Sequence, residues 1–225
     1  MKVIHMKVAI FDFDGTIYKF ETYTLMLDHA KHHPLYHERY KSFYYSIVPP
    51  YLGYKMRVYS EAKMKLNLTQ KYLSLFEGKT SGEVNAFLAE VAEKMTDDFN
   101  PLVLERMKEH QKNGDIVMVV SGAYKPLLDL VLDDLPIDYI IGTGIPIEDN
   151  YVNPKKPIDH VQSERKTELI LETLRDKTID WENSYAYGDS KADLPVLHMV
   201  GNPVVVCPDP KLQAIANRKK WQFIC

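Results

Sequence analysis

FDFDGT, residues 11–16, closes an apolar run that begins at Lys7. KVAIFDF (7–13) is apolar, carries β-branched residues and is bounded by charge and glycine, which predicts a short buried strand. Side chains alternate along a strand, so Asp12 and Asp14 point the same way. Two neighbouring carboxylates repel, and keeping both ionised calls for a cation. A hard divalent ion such as Mg²⁺ suits oxygen ligands and substrate phosphates. A lone D-x-D is more often a solvated strand-to-turn transition, so the other strand ends have to decide. An EF-hand is excluded: Gly15 falls at the fourth loop position, and Tyr23 stands where the bidentate Glu belongs.

Four more short apolar runs follow: IVMVVSG (116–122), DYIIGTG (138–144), SYAYGDS (184–190) and PVVVCPD (203–209). Helical patterns separate most of them. Residues 100–114 have an Asn cap, a Pro in the first turn and a terminal Gly. Residues 163–176 carry helical apolar spacing behind a Ser cap, and 192–200 read as a short third helix. Strands alternating with helices predict an α/β, Rossmann-like three-layer core around a central parallel sheet. Residues 140–153 are open to a second reading, as an irregular hairpin.

Residues 17–98 break the rhythm. Four helical patterns and no clear strand occur there, and ten of the 15 tyrosines fall between residues 18 and 72. Nine Lys/Arg against four Asp/Glu between 19 and 72 make this stretch locally basic. The expected organisation is a core of residues 1–16 and 99–225 with a small helical cap, 17–98, inserted after the first strand. No internal repeat or low-complexity linker is evident.

Each further strand end is weak alone. Ser121 and Gly122 end the second core strand, and a hydroxyl beside a backbone N–H makes a cradle for phosphate oxygens. Ser-Gly is usually just a turn. Lys166 lies in the first turn of a helix, where a lysine is ordinarily solvated. YGDSKADLP places Asp189 at another strand end, with Asp193 one helical turn beyond. Their order, and their placement where open α/β sheets bind ligands, are far more specific than any one of them.

DFDGT, VVSG, Lys166 and GDSKADLP together resemble the haloacid dehalogenase-like hydrolase superfamily, in its phosphoserine-phosphatase-like branch. The resemblance spans residues 8 to about 195; the cap matches in position rather than in sequence. It implies a Mg²⁺-dependent phosphatase acting on a small phosphorylated metabolite, with Asp12 as nucleophile and Asp14 as acid and then base. It further implies Mg²⁺ held by Asp12, the Asp14 backbone carbonyl and Asp189, with Asp193 in support, directly or through water. Ser121, Gly122 and Lys166 would hold the phosphoryl oxygens. Glu21 stands where phosphoserine phosphatases carry an acidic residue for the substrate amine, and Arg57 is a candidate for a substrate carboxylate. The last motif departs from the branch: GDSKAD stands where GDGAND is typical, which weakens transfer of serine-phosphate specificity but keeps the metal carboxylates. A phosphotransferase to an acceptor alcohol and a non-catalytic phosphometabolite-binding protein are the alternatives.

The bulk properties agree. Apolar residues at 45% and charged residues at 26% of 225 permit a sizeable core, and a net charge of -3 points to neither nucleic acid nor an anionic membrane. No apolar run approaches the ~20 residues of a membrane span, and the start lacks the features of a signal peptide. Two cysteines, Cys207 and Cys225, imply no disulfide framework or cysteine zinc site, so a reducing cytoplasm is the expected location. A monomer or homodimer is expected, and Met6 offers an alternative start to Met1. His29, His33 and His37 share a helical spacing, but Pro34 interrupts it, and a polar cap surface is expected rather than a metal site. NRKKW (217–221) reads as a solvated helix end.

Overall fold

The first strand, β1 (Val8–Phe11), is buried at every position. Its residues alternate between two apolar layers. Ala9 and Phe11 join one cluster, and Val8 and Ile10 join the other. A strand covered on both faces must be apolar throughout, which is why VAIF shows no polar alternation. A computed structural model describes residues 5–225; Met1, the alternative start to Met6, lies outside the described residues.

Four helices follow β1: α1 (Thr22–His32), α2 (His37–Lys55), α3 (Glu61–Tyr72) and α4 (Ser81–Ala92). Thr80 and Glu83 close a capping box at the start of α4. Then come α5 (Pro101–Lys112), β2 (Ile116–Tyr124), α6 (Lys125–Val131) and β3 (Tyr139–Thr143). Asn100 caps α5 by accepting from the Leu102 N–H, as its sequence predicts, a contact typically worth about 1 kcal/mol. The antiparallel hairpin β4 (Ile147–Glu148) and β5 (Tyr151–Val152) realises the second reading of residues 140–153. The chain ends through α7 (Glu164–Thr173), β6 (Tyr185–Gly188), α8 (Leu194–Leu197), β7 (Asn202–Val206), α9 (Pro210–Lys219) and β8 (Gln222–Ile224).

The central sheet has six strands, all parallel, in the order β3-β2-β1-β6-β7-β8. Helices α5 and α6 cover one face through Val103, Met107 and Leu128, and α7, α8 and α9 cover the other through Ile170, Leu197 and Leu212. Fully burying one such side chain is typically worth about 1.5–3 kcal/mol. After β1 the chain runs outward through β2 and β3, then returns to β6 on the other side of β1. The crevice at the carboxyl end of β1, between β2 and β6, is therefore the switch point where a ligand is expected.

The helices between β1 and β2 share an apolar cluster with the sheet, through Met26, Phe43, Tyr72, Phe76 and Phe87. The Tyr124 hydroxyl donates to the Thr69 carbonyl at 2.7 Å, tying α3 to the end of β2. The hairpin adds a second tie, through the Thr80–Tyr151 bridge and the Ser81 N–H donating to the Asn150 carbonyl.

Three local expectations are corrected. Ser163 makes no side-chain cap on α7 and has φ of 51°. Strand β8 and helices α6 and α9 carry too little periodicity in three, seven and ten residues to stand out beside the longer runs. Cys207 and Cys225 are joined by a disulfide. Parallel pairing of Val206 with Ile224 brings the next residue of each strand side by side, and the cysteine Cα atoms lie 4.8 Å apart. Among the described residues no helix is long and apolar enough to cross a membrane.

Candidate active site

Asp12 follows the last residue of β1, and its N–H donates to the Tyr187 carbonyl of β6 at 2.9 Å. Phe13 turns into the core, fully buried, while Asp12 and Asp14 both line one cleft. Gly15 has φ of +75°, and a Cβ there would lie 2.4 Å from an Asp189 carboxylate oxygen. Only glycine allows the turn after Asp14 to press against the end of β6 in this way. Gly188 does the same for Asp193, whose Cβ a side chain would meet at 2.7 Å.

Lys166, on the first turn of α7, is 5% exposed and bridges two carboxylates. Its ammonium donates to Asp12 Oδ1 at 2.5 Å and to Asp193 Oδ1 at 2.8 Å. The other Asp193 oxygen accepts from the Ser190 N–H and hydroxyl, each at 3.1 Å. Asp14 Oδ1 accepts from the Thr22 N–H at 3.0 Å and from the Thr22 hydroxyl, which ties the turn of residues 12–15 to the first residue of α1. Pairing of β2 with β3 is interrupted between Val120 and Tyr124. Ser121 and Gly122 sit in that interruption, and both line the cleft.

Burial governs the electrostatics. It pushes Asp12 up to about 7, with Asp193 adding repulsion and Lys166 opposing it. Asp14 rises to about 8, chiefly through burial and against its Thr22 hydrogen bond. Asp189 rises to about 9, through burial and then repulsion from Asp12 and Asp193. Burial alone would discharge Lys166, but Asp12 and Asp193 more than offset it and hold the ammonium charged. One lysine cannot balance so many buried carboxylates, so near neutrality they hold protons unless a cation takes their place.

Oxygens of Asp12, Asp189 and Asp193 lie within 4.8 Å of one another, and this all-oxygen set fits a hard divalent ion. Both Asp193 oxygens already accept from Lys166 or Ser190. Asp12 and Asp189 are thus the better direct ligands, and Asp193 suits a supporting place.

The cleft brings together Asp12, Asp14, Ser121, Gly122, Lys166, Asp189, Asp193 and Glu21. Arg57 is not among its lining residues. It follows the C-terminal turn of α2, exposed, with φ of 61°. The helical stretch instead contributes Tyr23, Met64, Lys65, Leu68 and Thr69. His160 also lines the cleft, from the loop before α7, and carried no motif by which the sequence could reveal it. Burial, then the charges of Lys65 and Lys166, lower its pKa to about 4.

The histidine expectation is also corrected. His29 is buried rather than on a polar surface, and it converges with His33 on Glu90, with Nε2 to Oε2 distances of 3.0 and 3.5 Å. His37 lies apart, half-buried, donating to the Lys31 carbonyl. The three donor atoms are close enough to hold an ion, yet the other ring nitrogens exclude one. Nδ1 of His29 accepts from the Lys94 ammonium at 2.8 Å, and Nδ1 of His33 accepts from the Leu35 N–H at 3.1 Å. Each Nε2 therefore carries the proton and donates to Glu90, leaving no lone pair for a metal.

The family profile of the haloacid dehalogenase-like hydrolases matches residues 9–198. The chain belongs to this family. A histidinol-phosphatase of Neisseria meningitidis serogroup C (strain 8013) is 29% identical over 141 residues, 60% of this chain and 62% of that one. The chain spans about half of one and three fifths of another of the curated relatives it matches. A Bordetella pertussis Tohama I protein of unknown function shares the fold with a TM-score of 0.79 at 19% identity, over 99% of both chains. A substrate-bound phosphoserine phosphatase shares it with a TM-score of 0.67 at 18% identity, over 98% of this chain and 93% of that one. This family member gathers its carboxylates at the sheet's switch point.

Proposed function

We propose that the chain is a Mg²⁺-dependent phosphomonoesterase that acts on a small amine-bearing phosphate ester through an aspartyl-phosphate on Asp12. The observation that carries this reading is the buried contact of Asp12 with Lys166 at the carboxyl end of β1, beside Asp189. A carboxylate so placed is a nucleophile aimed into the cleft, next to a buried ammonium able to neutralise phosphoryl oxygens.

Asp12 attacks phosphorus, and the alkoxide leaves as Asp14 protonates it. Burial keeps the Asp14 proton in place up to about pH 8, which suits an acid working near neutrality. Once the alkoxide has left, Asp14 is ionised and takes a proton from the water that opens the aspartyl-phosphate. Ser121, the Gly122 N–H and Lys166 hold the three phosphoryl oxygens. A bound Mg²⁺ on Asp12 and Asp189 supplies the positive charge that lets a carboxylate approach a phosphate. The helices between β1 and β2 serve as the cap that shapes the leaving-group side and excludes bulk water.

Glu21 is the only carboxylate on the helical side of that cleft among its lining residues, and it suits an ammonium. Phosphoserine and histidinol phosphate, the esters in the names of the similar proteins, both carry an amine. Phosphate release from these two and from amine-free glycerol phosphate, in Mg²⁺ and in EDTA, tests the reading. Wild type should release phosphate only with Mg²⁺ and favour the amines. Glu21→Gln should lower kcat/KM for the amine esters by about tenfold, the worth of one exposed charge-assisted contact, and leave glycerol phosphate unchanged. Absence of Mg²⁺-dependent release from every ester would overturn the reading; equal loss on all three would remove Glu21 from it.

A further inference from the structure

We infer that His160 is a fourth phosphate-binding group, donating from Nε2 to a phosphoryl oxygen beside Gly122; this rests on the phosphoesterase reading above. None of the motifs that mark the site contains His160, and its place is set by contacts from both halves of the cleft.

Two observations fix that place. A Cβ built on Gly122 would lie 3.2 Å from His160 Nε2, so the imidazole edge stands directly over the backbone of the cradle. Thr69 of α3 approaches the same nitrogen, with Oγ1 at 3.5 Å. An oxygen bound at the Gly122 N–H thus comes within reach of Nε2. The absence of a side chain at Gly122 is what leaves room for both.

The loop that carries His160 is held firmly. Gln70 of α3 donates to the carbonyls of Pro154 and Lys156 at 2.9 and 3.0 Å, and its Oε1 accepts from the Ile158 N–H at 3.0 Å. On the core side the Val161 N–H donates to the Thr143 hydroxyl at 3.2 Å, and that hydroxyl donates to the Gly122 carbonyl at 2.8 Å. Gln70 and Thr143 clamp the loop between helix and sheet, with His160 at the junction. A group held by packed neighbours and second-layer hydrogen bonds meets its ligand with little ordering cost.

The chemistry agrees. Burial and the nearby lysine charges keep the free imidazole neutral at physiological pH. With Nε2 protonated, a neutral imidazole is a donor that adds no repulsion to the metal cation and no competing charge to Lys166. The Lys65 and Lys166 charges, which add to burial in discharging the histidine, also favour a dianion beside it.

The test is binding of inorganic phosphate in Mg²⁺ by titration calorimetry, together with steady-state kinetics on phosphoserine and glycerol phosphate. Inorganic phosphate has no leaving group, so it reads the cradle alone and needs no turnover. His160→Ala should weaken phosphate binding about tenfold and raise KM for both esters by a similar factor, with kcat changed less than about threefold. His160→Gln, which keeps a donor at comparable reach, should recover at least half of the loss on a logarithmic scale. Unchanged phosphate affinity in His160→Ala, a KM rise confined to one ester, or Gln no better than Ala would each overturn the assignment. Should wild type hydrolyse no ester, the calorimetric comparison still decides the role of His160, so the two readings fail separately.

Discussion

Asp12→Asn is expected to abolish phosphate release, by at least about 10⁴-fold, while the protein stays folded. The amide keeps an oxygen to accept from Lys166, and Lys166 keeps Asp193 at 2.8 Å, so no buried charge is stranded. What is lost is the nucleophile itself. Ser121→Ala should act differently. Its hydroxyl is one of several groups on the phosphoryl oxygens, and its loss should cost about 10²- to 10³-fold, as single oxyanion donors do. Steady-state phosphate release, with circular dichroism to confirm folding, separates the two. Equal and mild losses in both variants would contradict the division of labour between attack and positioning.

Asp189→Asn should stabilise the metal-free protein and destroy its response to Mg²⁺. Burial and two neighbouring carboxylates raise the Asp189 pKa from 3.8 to about 9. The folded state therefore binds this proton more tightly than the unfolded state does. Below about pH 4 both states are protonated and the group costs nothing. Between about 4 and 9 the unfolded chain ionises while the folded one resists, so stability falls as pH rises. Asp12 and Asp14 shift in the same direction and add to the slope. In EDTA at neutral pH, Asp189→Asn should gain about 1–3 kcal/mol, or roughly 3–8 °C in Tm, and flatten the decline with pH. In Mg²⁺ the wild type should gain stability and the variant should not. Thermal unfolding from pH 5 to 9 with and without Mg²⁺ reads both effects. A lower Tm for the variant in EDTA would mean that Asp189 is satisfied by the fold alone rather than poised for a cation.

The core strands and most of the helices were legible because burial on two faces forces continuous apolar runs, as in VAIF of β1 and the start of β2. The carboxylates were legible because Asp12, Asp14 and Asp189 all sit where such a run stops. Strand β8 escaped because QFI is three residues long and two of them are exposed, so no run announces it. The disulfide escaped for the same reason, since it depends on β8 lying beside β7. His160 was hidden because its role comes from a loop clamped by Gln70 and Thr143, residues far apart in sequence. Arg57 misled because a cation in a basic helical stretch has no address until α2 is placed, and its C-terminal turn lies outside the cleft lining. His29 and His33 show the reverse case: their spacing hinted at convergence, while Lys94 and the Leu35 N–H, which decide against a metal, are fixed only by the folded chain.

Acid-quenching a single turnover with radiolabelled phosphoserine in Mg²⁺, followed by peptide mapping, tests the central claim most directly. The label should appear transiently on the peptide that contains Asp12, survive acid, leave in mild base as an acyl phosphate does, and be absent from Asp12→Asn. Phosphate released by wild type with no label on that peptide at any time would contradict a nucleophilic Asp12 and mean that water attacks the ester directly.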